Sequence, residues 1–290
     1  MQKLLVFQSL WAMERLHRDG HEPTLEENIA RIAKTGFDGI SAHYTNPADV
    51  LRLHEAISGT GLRIEGVCFP RNVDDLRHTL ELAQEFPVSH IDLQADIRPR
   101  RVEDCLPLLD GWMRLAEEAG VPVFIETHRN RITSDLPFTL DLLEQRPDLP
   151  LLADLSHYLV AREFAFPMED ESQREIQRIL HNAQAFHGRI GSCEQIQIEI
   201  SFAHHRPWVD LFLDWWDYGF RHWRSRAPDN AELVFTCELG PRPYAITDRG
   251  GNDSTDRRAE SLLLKTMAQT LWAQAARPAN TAKTGAHKPC

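Results

Sequence analysis

Hydrophobic residues in this chain fall into short runs that alternate with longer amphipathic segments. Segments with apolar residues at helical spacing separate most of the runs, and Gly36, Gly61 and Gly120 stop three of these segments. Because each helix returns the chain to the start of the next strand, this alternation predicts a parallel sheet. Eight runs have the length and composition of buried strands: residues 3–7, 37–43, 62–69, 89–95, 121–128, 149–157, 183–191 and 232–240.

Eight strands alternating with helices predict an α/β fold, a single (β/α)8 TIM barrel over residues 1–275. An open doubly wound sheet is the alternative, but it is expected to carry a glycine-rich phosphate-binding turn, and the chain contains neither GxGxxG nor GxxxxGK. The remaining segment, 276–290, is polar and lacks apolar periodicity, so we expect a short disordered tail.

Composition narrows the function classes. The net charge of −11 argues against nucleic acid as a partner, because binding phosphates requires clustered Lys and Arg. Five cysteines without a CxxC pair indicate neither a disulfide framework nor a structural zinc site, and Cys68 and Cys237 are expected to be small buried hydrophobes. The apolar stretch at the N-terminus is too short to span a bilayer and lacks a leader pattern, which favours a cytoplasmic protein without a membrane partner.

Residues able to bind a divalent metal stand at the ends of the last four predicted strands. The C-terminal ends of barrel strands share one face, so side chains there converge on one pocket. Two or three carboxylates with one imidazole form a mixed site suited to Mn²⁺, Mg²⁺, Co²⁺ or Zn²⁺. The residues are Glu126, Asp154 with His157, His187, and Glu238.

Each of these residues also has a simpler structural explanation. Glu126 and Glu238 could form ordinary salt bridges, and Asp154 could cap the segment that follows it. His187 could be a hydrogen-bonded core histidine. Arg189 lies two residues further on and points the same way, so it could bridge barrel layers or supply a fixed cation for a substrate oxygen. Only the joint pattern favours the metal site.

Polar and aromatic residues at the ends of the early strands could wall a sugar pocket, since aromatic faces stack on sugar C–H groups. These residues are Trp11, His43, Tyr44 and Gln94. The segment 208–226 has aromatic residues at helical spacing, and this face is expected to pack against the barrel or against a partner subunit in a homo-oligomer.

The motifs ETHR (126–129), DLSH (154–157), HGRIG (187–191) with Gln197 downstream, and ELGP (238–241) resemble the xylose-isomerase-like TIM barrels in order and spacing. That superfamily includes sugar phosphate isomerases and epimerases and the AP-endonuclease family 2 group. The opening VFQSLWAM is similar to the first strand of some bacterial members, and the resemblance covers about residues 1–272.

The resemblance implies the metal ligands Glu126, Asp154, His187 and Glu238, with His157 and Arg189 as polar contacts to the substrate. We also expect His128 to contact the substrate. Many relatives place two histidines two residues apart in the seventh strand, and the second often binds the metal. Arg189 stands at that position here, so either His187 or a water completes the metal shell.

These features lead us to expect a divalent-metal-dependent isomerase or epimerase in carbohydrate metabolism. Its substrate would be a small sugar or related polyhydroxy carbonyl compound, converted through a metal-bound cis-enediolate. Glu126 and Glu238 would be the two bases, and His157 and Arg189 would stabilise oxyanion charge. The alternatives are a metal-dependent lyase or dehydratase that uses the same enolate chemistry, an endonuclease IV-like phosphodiesterase and a non-catalytic barrel.

Overall fold

A computed structural model describes residues 1–276, and in it eight parallel strands form a closed barrel in chain order. The barrel closes where β1 pairs with β8, in register from Lys3↔Glu232 to Gln8↔Cys237. The predicted (β/α)8 architecture is therefore confirmed. The predicted tail, 276–290, lies outside the described residues except for Ala276. The strands are β1 Lys3–Ser9, β2 Gly39–His43, β3 Arg63–Cys68, β4 His90–Leu93, β5 Val123–Glu126, β6 Leu151–Ala153, β7 Ala183–Gly188 and β8 Glu232–Cys237.

Helices surround the barrel and begin where side chains satisfy free backbone N–H groups. Thr24 accepts from the backbone N–H of Glu27, whose carboxylate accepts from the backbone N–H of Thr24. None of the described helices is long and apolar enough to cross a membrane. The helices are α1 Leu25–Lys34, α2 Pro47–Ile57, α3 Asp75–Glu85, α4 Val102–Ala119, α5 Leu136–Gln145, α6 Ser156–Arg162, α7 Asp170–Asn182, α8 Arg206–Arg226 and α9 Arg257–Ala275.

The aromatic helix α8 packs on the barrel. Trp215, Trp216, Phe220 and Trp223 are buried, and the Trp216 ring meets the edge of Phe235 on β8 at a centroid distance of 5.0 Å. This confirms the first of the two explanations for the aromatic spacing of residues 208–226. Cys68 and Cys237 are buried and unpaired, as predicted.

The sixth strand is shorter than the predicted run 149–157. It ends at Ala153, and helix α6 begins at Ser156. The cause is Asp154, whose Oδ1 accepts hydrogen bonds from the Ser156 backbone N–H at 3.0 Å and from the Ser156 hydroxyl at 2.6 Å. These bonds close a turn between β6 and α6, so the extended backbone does not continue into Ser156. His157, the last residue of the predicted run, therefore belongs to the first turn of α6 and not to the strand.

The barrel interior changes from apolar to polar along the strands. Its N-terminal end is filled by a separate hydrophobic cluster of five buried residues, against which Phe124 packs. Gly39 makes room for this cluster, because a Cβ atom there would lie 2.5 Å from the Phe7 ring and 2.6 Å from the Arg63 carbonyl oxygen. The apolar end excludes water from beneath the polar residues nearer the C-terminal ends. The cluster consists of Leu5, Phe7, Leu152, Ala185 and Val234.

Replacing Phe7 by Ala should lower the free energy of unfolding by about 3–5 kcal/mol, because it opens a cavity in this cluster. Phe166→Ala is the matched control, since that ring is 49% exposed. Urea unfolding of both variants measures the difference. Equal losses in the two variants would contradict the account of the barrel interior.

Candidate metal centre and active site

The four residues expected to bind a metal converge at the C-terminal end of the barrel. Glu126 ends β5, Asp154 follows β6, His187 lies in β7 and Glu238 directly follows β8. One nitrogen or oxygen atom from each lies within 4.8 Å of the others, and all four side chains are buried. Glu126 Oε2 and Asp154 Oδ2 accept no hydrogen bond from any residue in 1–276. Buried carboxylate oxygens without a donor, beside one imidazole, fit a hard or borderline divalent cation.

His187 is held between carboxylates on both sides of its ring. Its Nε2 lies 3.0 Å from Glu65 Oε1, and its Nδ1 lies 3.1 Å from Glu126 Oε1 and 3.3 Å from Glu238 Oε2. Burial alone would lower the pKa of His187, but the charges of Glu238 and Glu65 raise it well above its ordinary value. With Nε2–H donated to Glu65, the Nδ1 lone pair would face the other ligands, which is the usual orientation of a metal-binding histidine.

Glu65 on β3 contacts the ligand cluster, and the sequence reasoning missed it. Its Oε2 accepts a hydrogen bond from the Thr236 hydroxyl at 3.0 Å and lies 2.9 Å from His90 Nε2. Burial would raise the pKa of Glu65, but His187 and His90 hold it below its ordinary value, so the carboxylate is ionised. Glu65 therefore fixes the orientation of the His187 ring. The signal was an acidic residue in the middle of the apolar run 62–69.

Arg189 brings a permanent positive charge to the centre. Its Nη2 donates to Glu238 Oε2, and its Nε lies 3.5 Å from Asp154 Oδ2. The rings of Trp11 and Tyr244 flank the guanidinium carbon at 5.6 and 5.0 Å. Arg189 is 2% exposed, and within the described chain its Nη1 donates no hydrogen bond. The carboxylates of the centre are thus partly neutralised by the protein itself.

Two histidines lie together beside the ligand set. The rings of His128 and His157 are 3.9 Å apart between centroids, and His157 Nε2 is 3.6 Å from Asp154 Oδ2. Burial lowers the pKa of His128 to about 4 and that of His157 well below its ordinary value. Both imidazoles are therefore neutral at pH 7. Among the described residues, neither ring nitrogen of His157 has a hydrogen-bond partner.

The carboxylates of the centre differ in their affinity for protons. Burial raises the pKa of Glu126 to about 7, although His187 opposes this shift. Burial also raises the pKa of Asp154. For Glu238, burial is outweighed by the charges of His187 and Arg189, which lower its pKa. Glu126 can therefore hold or release a proton near neutral pH, whereas Glu238 is ionised.

A cavity of about 490 Å³ opens above the centre. Trp11, His43, Gln94 and His128 line it, together with Arg189 and Glu238, as expected from the strand ends. The expectation for Tyr44 is wrong. Its hydroxyl donates to the Phe86 carbonyl oxygen at 2.5 Å and lies 2.7 Å from His54 Nε2, which places the ring in the outer core. Sequence reasoning also missed wall residues in the connecting segments, including Phe69, Arg131 and Tyr244.

The low pKa of His128 makes stability depend on pH. As pH falls below about 6.5, the unfolded chain takes up a proton at this residue, whereas the folded chain does so only near pH 4. Stability is therefore lost across this window. His128→Gln should reduce the loss by up to about 3 kcal/mol. Urea unfolding of the wild type and of His128→Gln from pH 7.5 to 4.5 measures this loss of stability. An unchanged pH dependence in the variant would contradict the low pKa given to His128.

Comparisons with known proteins give a match in structure only. No family model and no curated protein sequence matches the chain. A D-psicose 3-epimerase from Clostridium cellulolyticum H10, solved with D-tagatose, is 12% identical with a TM-score of 0.59, over 92% of this chain and 99% of that chain. A xylose isomerase-like TIM barrel protein from Mycobacterium smegmatis in complex with magnesium is 10% identical with a TM-score of 0.57. The match covers 93% of this chain and 97% of that chain.

A probable 3-DHS dehydratase from Bacillus anthracis also shares the fold. It is 16% identical with a TM-score of 0.52, over 92% of this chain and 97% of that chain. Identities this low carry information about the fold alone. With the closed eight-stranded barrel, they establish that this chain has the fold of the xylose isomerase-like TIM barrels.

Proposed function

We propose that this protein is a divalent-metal-dependent isomerase or epimerase of a sugar or related polyhydroxy carbonyl compound. The observation that carries the proposal is the convergence of Glu126, Asp154, His187 and Glu238 beside a cavity with polar and aromatic walls. The D-psicose 3-epimerase that shares the fold supports the reaction class. A cavity of about 490 Å³ suits a small polyhydroxy compound.

The metal would be held by the carboxylates of Glu126, Asp154 and Glu238 and by Nδ1 of His187. When bound, a divalent ion supplies Lewis acidity toward a carbonyl oxygen and an adjacent hydroxyl. Glu65 supports this arrangement, because its bond to Nε2 turns Nδ1 toward the other three ligands. The positions of these residues on four strands and strand ends fix their spacing before the substrate arrives.

Two carboxylates are placed to move a proton. Isomerisation and epimerisation both require removal of the proton beside the carbonyl and its return to the substrate. Glu126 is suited to this exchange, since its Oε2 accepts no hydrogen bond within residues 1–276. Glu238 is ionised and would serve as the second base.

The enediolate left by deprotonation carries negative charge that must be stabilised. Arg189 lines the cavity, its Nη1 donates no hydrogen bond within the described residues, and its charge does not depend on pH. The neutral His157 ring can donate a hydrogen bond to an oxyanion without bringing a full positive charge into the site. Trp11, His43, Gln94 and His128 would contact the remaining hydroxyl groups and C–H faces of the substrate.

A metal-dependent dehydratase is the second candidate, favoured by the dehydratase that shares the fold. It would begin with the same proton abstraction and end with the loss of a β-hydroxyl group as water. The two reactions differ in their products, because an isomerase or epimerase conserves the mass of its substrate and a dehydratase loses the mass of water.

The reaction class can be tested with chelator-treated protein, Mn²⁺, Co²⁺ or Mg²⁺, and a panel of ketoses and cyclic polyhydroxy ketones in D2O. We expect metal-dependent products of unchanged composition with deuterium on the carbon beside the carbonyl, because the abstracted proton exchanges with solvent. Mass spectrometry and NMR of the products provide the readout. Dehydrated products would support the second candidate instead.

Replacing Glu238 by Gln should lower turnover by roughly 100-fold or more, since an amide cannot act as the second base. The barrel should remain folded by circular dichroism. Glu14→Gln is the control, because Glu14 also lines the cavity but lies outside the ligand set. Activity retained in Glu238→Gln would contradict the role given to this carboxylate.

A further inference from the structure

Two of the four proposed ligands are already paired with a cation that belongs to the protein. Arg189 donates a hydrogen bond through Nη2 to Glu238 Oε2, and its Nε lies 3.5 Å from Asp154 Oδ2. His187 occupies the other side of the cluster, against Glu126 and Glu65. The carboxylates are thus partly neutralised without any metal.

The two cationic groups behave differently when a metal ion arrives. His187 can give up a proton and become a neutral ligand. Arg189 cannot, because a guanidinium stays protonated in proteins. Arg189 is also held in place, since it is 2% exposed and lies between the rings of Trp11 and Tyr244. A divalent ion bound to Asp154 and Glu238 would therefore lie beside a fixed positive charge.

We propose that Arg189 acts as a built-in competitor of the metal, so that the four-residue centre binds divalent ions more weakly than the same ligands would without it. This inference rests on the metal centre of the proposed function and adds that Arg189 sets the affinity of that centre for divalent ions. Like charges in a poorly solvated site repel, and the carboxylates gain less from a metal when an arginine already pairs with them. The metal would then be a readily exchanged activator.

The test measures metal affinity and needs no substrate. Chelator-treated wild-type protein and Arg189→Met are titrated with MnCl2 by isothermal titration calorimetry. We expect the variant to bind Mn²⁺ roughly 10- to 100-fold more tightly, the range in which neighbours of a metal shell alter affinity. Arg131→Met is the matched control. Arg131 lines the same cavity but pairs with Asp96 at 3.3 Å, so its loss should leave the affinity unchanged.

The outcomes separate the two proposals. If Arg189→Met binds Mn²⁺ as the wild type does, or more weakly, the competition is contradicted and the metal centre stands. If none of the three proteins binds Mn²⁺, or Co²⁺ and Mg²⁺ in the same titration, the metal centre of the proposed function is contradicted as well. Metal binding by Arg189→Met in the absence of binding by the wild type would support strong competition.

A second measurement and a second variant test whether the loss of Arg189 acts through the stability of the fold. Removing Arg189 leaves Asp154 and Glu238 without their buried partner, so metal-free Arg189→Met should melt below the wild type and gain more from added Mn²⁺. If the variant folds only with metal, it is purified with Mn²⁺ and its affinity is measured by chelator competition. Arg189→Lys keeps the charge and should keep the low affinity. Affinity raised equally by Lys and Met would contradict a role for the charge.

Discussion

Buried negative charge at the C-terminal end of the barrel is the constraint on which the rest of the site depends. Glu126, Asp154 and Glu238 are buried with one ligand atom each within 4.8 Å of one another. Two unit charges at such a distance repel by about 3–4 kcal/mol, even at an effective dielectric constant of about 20. Positive charge among them, or protonation of a carboxyl such as Glu126, is therefore needed to keep these groups together.

The protein provides that charge in two forms with different consequences. His187 is oriented by Glu65, which is itself held by Thr236 and His90, so the ring position is set by a layer of polar residues beneath the site. Arg189 is oriented by ion pairs and aromatic rings above it. The imidazole can become a ligand and the guanidinium cannot, and this difference links the charge balance of the site to its response to metal.

The hydrophobic pattern was sufficient to predict the barrel architecture, because each strand is a separate apolar run and each helix is a separate amphipathic segment. It also placed Glu126, Asp154, His187 and Glu238 at one end of the barrel, since parallel strands share that face. Glu65 was missed because it lies in the middle of β3 and not at the strand end, although alternation along the strand directs its side chain inward. Tyr44 was wrongly expected to line the pocket, because this residue directly follows β2 and its side chain lies in the outer core. The sixth run was too long because periodicity cannot separate a short strand from the start of a helix.

Metal position is the most direct test of the account. Crystals soaked in MnCl2 should give an anomalous difference peak, at the manganese absorption edge, within bonding distance of Glu126, Asp154, Glu238 and Nδ1 of His187. A peak at another place, or an empty cluster at saturating Mn²⁺ with Arg189 replaced by Met, would contradict the claim that these residues share one ion.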